Sequence, residues 1–97
     1  MEIKTTNEGT KLTVSVSGRV DTVTAPEFEA GLKFGDATLV VLDLAGVPYM
    51  SSAGLRVLLT AHKTMLGKGG ELQVANVQPA VREVLDLTGF SDLLNLV

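Results

Sequence analysis

Between Leu39 and Val74, changes in hydrophobic period leave few architectures open to this chain. Leu39-Val40-Val41-Leu42 is aliphatic at every position, so an extended segment there is apolar on both faces. Leu55, Leu58, Leu59, His62, Met65 and Leu66 then recur at helical spacing, with Arg56, Thr60 and Lys63 on the opposite face. Leu72 and Val74 alternate with Glu71 and Gln73, which reads as a strand. Strand, long helix and strand in that order predict a right-handed crossover between parallel strands. Leu39–Leu42 is then a central strand, either covered on both sides or flanked by neighbours.

The flanking segments extend this unit. Lys11 to Ser17 alternates without exception, Leu12, Val14 and Val16 against Lys11, Thr13, Ser15 and Ser17, so one face of that strand is wet. Ile3–Thr6 pairs with it across the turn-rich Asn7-Glu8-Gly9-Thr10. Thr24-Ala25-Pro26-Glu27 reads as a helix start, with Thr24 as cap, Glu27 as its capping-box partner and Pro26 in the first turn. Ala25, Phe28 and Leu32 form the apolar stripe, and Gly35-Asp36 is the stop. The central strand ends at Asp43-Leu44-Ala45-Gly46, and Gly67-Lys68-Gly69-Gly70 terminates the long helix. Pro79 opens a last helix with Val81, Val84 and Leu85 inward. Gly89 is its left-handed end, and the tail to Val97 adds a short turn or helix. The expected fold is α/β: one domain over residues 1–97, with a mixed sheet of about four strands and helices packed against it.

Composition removes whole classes of function. A chain of 97 residues supports one modest core. With 45% hydrophobic and 20% charged residues it is ordinary for a globular domain. A net charge of −3 gives no general attraction to nucleic acid or anionic lipid. The absence of cysteine excludes disulfides, thiolate metal sites and cysteine nucleophiles, and the single His62 leaves too few ligands for a usual zinc site. No cofactor is implied. The start of the chain lacks a signal-peptide pattern, and no apolar run approaches membrane-spanning length, so a cytoplasmic soluble protein with no direct membrane insertion is expected.

The informative segment is Val47-Pro48-Tyr49-Met50-Ser51-Ser52-Ala53-Gly54-Leu55, between the central strand and the long helix. Two hydroxyls arrive where that helix needs a cap, and a capping serine contributes about 1 kcal/mol. A helix N-terminus also presents unpaired N–H donors and the positive end of the dipole, a favourable place for a phosphate. Gly54 costs about 1 kcal/mol of helix propensity, and the close approach of another backbone would compensate. Tyr49 and Met50 belong either to the core or to an apolar rim.

Asp43-Leu44-Ala45-Gly46-Val47-Pro48-Tyr49-Met50-Ser51-Ser52-Ala53-Gly54-Leu55-Arg56-Val57-Leu58-Leu59 resembles the signature of the STAS domain as found in bacterial anti-sigma factor antagonists. Gly18 to Phe28 is similar to that family's stretch after its second strand, and Val84 to Phe90 to its closing helix. The resemblance implies partner switching. The unphosphorylated antagonist binds an anti-sigma factor that is also a serine kinase, and the sigma factor is released. Phosphorylation ends the association, and a phosphatase acting on the phosphoserine restores it. The implied phosphoacceptor is Ser52, and the implied partner-binding residues are Asp21, Met50, Ser51, Ser52, Ala53, Gly54 and Arg56. Ser51 stands where antagonists often carry aspartate and is a second hydroxyl beside Ser52. Ala53 replaces a hydroxyl residue common in relatives. By the same resemblance Asp21 is either a contact to the kinase or its nucleotide, or a turn aspartate.

Other readings are weaker. A STAS subunit of a transporter or lipid-trafficking complex would need no phosphate. An enzyme would need a nucleophile–base pair, a metal set or a phosphate loop, and none is visible. His62 lies on the apolar helix face without a visible acid–serine relay, so packing is favoured over general-base work. Gly67-Lys68-Gly69-Gly70 lacks phosphate-loop spacing.

Overall fold

The computed structural model describes all 97 residues. The alternation near the N-terminus becomes a hairpin of β1 (Glu2–Glu8) and β2 (Lys11–Ser17), paired antiparallel with Glu8 opposite Lys11. The turn is shorter than expected. Asn7 and Glu8 belong to the strand, and only Gly9-Thr10 connects, with Gly9 at φ 63 where a side chain would be strained.

β3 (Leu39–Gly46) runs parallel to β2, and β4 (Glu71–Ala75) runs parallel to β3. The crossover between the first pair contains α1 (Ala25–Ala30), and that between the second contains α2 (Ser52–Gly67). After β4 come α3 (Pro79–Thr88), α4 (Phe90–Leu93) and β5 (Asn95–Leu96), the last parallel to β4. The sheet therefore has five strands in the order β1-β2-β3-β4-β5, one more than the sequence suggests, because two residues of the tail pair with Gln73 and Val74.

Neighbouring parallel strands joined in sequence by right-handed crossovers place their helices on one face. The register agrees: Leu12, Val40 and Leu72 lie side by side, as do Val14, Leu42 and Val74, and all six are buried. The same positions one step along, Thr13, Val41 and Gln73, are half-buried on the opposite face. The central strand is thus flanked by neighbours rather than covered on both sides. Its second apolar face, with Leu39 and Val41, is half-buried and carries no helix layer.

The core is one cluster of 22 residues, with Phe28 of α1, Leu58 and Met65 of α2 and Val81 and Leu85 of α3 packed on the sheet. α1 is shorter than its sequence signals. It stops at Ala30, and Leu32 packs at the core margin from the following loop. Gly31 follows it, glycine there because a Cβ would run into Ile3 of β1. α2 buries a wide stripe that includes Val57 and Ala61, while Leu66 is 58% exposed. At 100° per residue, Leu66 lies at the edge of that stripe, where the chain already turns away. Gly69 at φ 75 and the Gly69 and Gly70 N–H bonds to Leu66 and Met65 carbonyls end the helix, so the glycine run is a stop signal. Gly89 at φ 81 closes α3 as the sequence predicts.

Candidate functional site

The site forms where the lines of β2 and β3 continue past their strands. A register shift at Ser15/Ser17 ends regular pairing, and the Gly18 N–H donates to the Gly46 carbonyl at 2.9 Å. The two segments then re-pair as a single parallel bridge between Val20 and Met50. The Val20 N–H donates to the Tyr49 carbonyl at 3.0 Å, and the Ser51 N–H donates to the Val20 carbonyl at 2.8 Å. Arg19-Val20-Asp21 is thereby fixed beside Tyr49-Met50-Ser51. This pairing is not among the sequence expectations, although Val20 continues the alternation of Val14 and Val16 across Gly18.

Ser51 is the residue before α2, extended at φ −88 and ψ 177. Its carbonyl accepts the Leu55 N–H at 3.1 Å, but its side chain does not cap: the Oγ is buried and has no hydrogen-bond partner. The capping bond expected from a serine here is absent. Ser52 is the first helical residue and is exposed. The N–H groups of Ser52, Ala53 and Gly54 have no acceptor within the protein. One buried hydroxyl, one exposed hydroxyl and three free donors therefore meet at one helix end.

Gly54 is needed for a different reason than another backbone. A Cβ at this position would lie 2.6 Å from Met50 Cγ and 2.7 Å from Val20 Cγ1. Of the expected partner-binding residues, Met50 is 2% exposed and Gly54 is buried, so both sit beneath the surface of the free protein. Together with Val20 they form the internal seat on which the first turn of α2 rests. Tyr49 is 40% exposed and carries the Arg19 guanidinium 4.2 Å from its ring centre.

Asp21 is first of all a turn residue. Its Oδ1 accepts the Val23 N–H at 2.9 Å and the Thr24 N–H at 3.0 Å, and its other oxygen lies 3.7 Å from Arg19 Nε. The Thr24 N–H above all, then the Val23 N–H, the Thr24 hydroxyl and the Arg19 charge, hold this carboxyl below the usual carboxylate range against partial desolvation. Thr24 does not cap α1. Its hydroxyl accepts the Asp21 N–H at 2.9 Å and donates to the Arg19 carbonyl at 2.8 Å, so the capping box with Glu27 does not form. The turn is already closed by the Ala25 N–H on the Asp21 carbonyl at 2.8 Å, which leaves the threonine for the loop.

Ser52 and Arg56 are exposed and one helical turn apart; Ala53 between them is half-buried. Arg56 also lines a shallow groove with Thr22, Pro26, Glu29 and Val57, between the start of α1 and the first turns of α2. His62 is 9% exposed among core residues, and its Nδ1 has no hydrogen-bond partner, so no acid orients the ring. No three His, Asp or Glu side chains are gathered to hold a metal ion, and no helix is long and apolar enough to cross a membrane. The arrangement presents an exposed Ser52 hydroxyl with no hydrogen-bonded base beside it to activate it.

Comparison with known proteins places the chain in a family. The STAS domain family matches residues 2–97. BtrV of Bordetella bronchiseptica, described as a putative anti-sigma factor antagonist, is 40% identical over 83 residues, covering 81% of this chain and 71% of its own. The anti-sigma F factor antagonist of Paenibacillus polymyxa is 31% identical over 87 residues, covering 86% and 74%. The crystal structure of an anti-sigma factor antagonist from Mycobacterium paratuberculosis superposes with a TM-score of 0.85 at 28% identity, covering 98% and 83%. The chain is a STAS domain protein and belongs to the anti-sigma factor antagonist family.

Proposed function

We propose that this protein is a phosphorylation-controlled antagonist. Unmodified, it binds an anti-sigma factor that is also a serine kinase, so that the sigma factor is freed. Phosphate transfer to Ser52 ends the association, and a phosphatase reverses it. The partner class comes from the relatives, which are named as antagonists of anti-sigma factors. The observation that carries the reading is the division between the two serines: Ser52 is exposed at the mouth of α2, and the Ser51 Oγ is buried. An attacking kinase reaches only the first.

The magnitudes favour a switch without refolding. A phosphate adds a charge of about −1.5 to −2. At the N-terminal end of α2 the free protein accommodates it, with a gain of about 0.3–1 kcal/mol from the helix dipole. In a docked interface the same group must shed water, and the penalty for an unpaired buried ion is several kcal/mol. A hundredfold loss of affinity requires only about 2.8 kcal/mol. Desolvation at the interface therefore outweighs the local gain.

A pull-down from the source cells with wild type, Ser52→Ala and Ser52→Asp tests the reading. The alanine form is expected to retain the kinase and the aspartate form to release much of it. Equal recovery of one partner set by all forms would rule the switch out.

A further inference from the structure

Five of the eight Lys and Arg side chains, Lys11, Lys33, Arg56, Lys63 and Lys68, pair with no carboxylate, and of these Arg56 stands one helical turn from Ser52. Three cationic side chains, Lys4, Arg19 and Arg82, sit within ion-pair distance of a carboxylate, and Arg19 is also stacked on Tyr49. Arg56 pairs with no carboxylate, although it is exposed on α2 and Glu29 borders the same groove. Four residues along a helix correspond to about 40° of rotation and 6 Å of rise, so Ser52 and Arg56 share the outward face and their side chains are neighbours. His62 aside, Arg56 is the only cationic residue between Ser52 and Lys63.

We propose that Arg56 is the intramolecular counter-ion of a phosphate carried by Ser52, and that this pairing withdraws the guanidinium from the surface the unmodified protein offers its partner. The inference rests on the reading of Ser52 as phosphoacceptor. An anion followed four residues later by a cation is the favoured order for such pairs. A planar guanidinium can meet two phosphate oxygens at once, which an ammonium cannot. Phosphorylation then acts twice at the interface: it adds a group that must be desolvated, and it occupies a cation that was free.

The test uses the full chain with phosphoserine installed at position 52 during synthesis, which makes it independent of any kinase. Titration of the phosphate by phosphorus NMR at low ionic strength is compared among the wild-type background, Arg56→Lys and Arg56→Gln. The midpoint is expected at least about 0.3 pH unit lower in the wild-type background than in Arg56→Gln. Lysine should restore part of the difference, and 1 M salt should largely remove it. The Arg56 side-chain Nε–H resonance should also move on phosphorylation. Identical midpoints for arginine and glutamine would overturn the proposal. Binding of the anti-sigma factor to the modified and unmodified chains is measured separately. Equal binding there would overturn the switch itself, whereas intact switching with an unmoved midpoint would overturn only the role of Arg56.

Discussion

Val20 Cγ1 stands 2.7 Å from where a Cβ on residue 54 would be, so a side chain at the start of the β2–β3 crossover fixes the residue type in the first turn of α2. Val20 and Met50 are 0% and 2% exposed, which leaves neither room to move away. The seat of the serines is therefore a packing contact between two segments that lie about thirty residues apart in the sequence.

Gly54→Ala is accordingly expected to destabilise. Helix propensity would gain about 1 kcal/mol, but overpacking a rigid core typically costs about 1–3 kcal/mol and here should prevail. A chain of this size then melts several degrees lower, at roughly 4–8 °C per kcal/mol. Val20→Ala in the same chain should recover part of the melting temperature by opening the space. A rise in melting temperature with Gly54→Ala alone would show that the seat is softer than its geometry implies.

Ser51→Ala should depart from the behaviour of other cap serines. Replacing a working cap loses about 1 kcal/mol. Here the Oγ makes no bond and is cut off from solvent, so removing it relieves a desolvation penalty. Denaturant unfolding is expected to show unchanged or increased stability. In the presence of a competent kinase and ATP, this variant should still gain one phosphate by mass spectrometry, and Ser52→Ala should gain none.

Acid should weaken the protein partly through Asp21 and Asp86. The Thr24 and Val23 N–H groups lower the first carboxyl, and the Ser91 hydroxyl followed by Arg82 lowers the second. A carboxyl whose folded value lies below its unfolded one, about 3.9, stabilises above that unfolded value. The contribution is lost as pH falls through the folded value. Asp21→Asn keeps an acceptor for the turn and removes the titration. Its unfolding free energy should fall less steeply than wild type from about pH 5 to about pH 3, and Asp86→Asn should act in the same direction. Parallel pH profiles would assign the acid sensitivity to other groups.

Phosphorylation at Ser52 is expected to change affinity far more than structure. Thermal melts of the modified and unmodified forms should differ by only a few degrees, since the local gain is about 0.3–1 kcal/mol. Affinity for the anti-sigma factor should fall at least about a hundredfold. A large structural change with binding retained would contradict the desolvation account.

Much of the molecule was legible from local pattern. The alternation of Lys11–Ser17 and the helical stripe of α2 reflect burial on a single face, and that constraint is written residue by residue; the all-aliphatic Leu39–Leu42 marked a strand but not which of its faces the helices cover. Short elements were not legible in this way. β5 consists of Asn95 and Leu96 alone and exists only because Gln73 and Val74 offer an open edge. Thr24 carried the local signature of a cap, yet its hydroxyl is taken by Asp21 and Arg19, partners that a capping pattern does not include.

From its residues alone, the chain determined the succession of strands and helices, the helix start at two serines and the likeness to antagonists, because periodicity and motif depend on neighbours in sequence. The tertiary structure decided which serine is open. Ser51 and Ser52 are chemically the same, but the Val20–Met50 pairing draws the residue before the helix inward and leaves the first helical residue in solvent. That difference arises from contacts between distant segments, and only the folded chain brings them together.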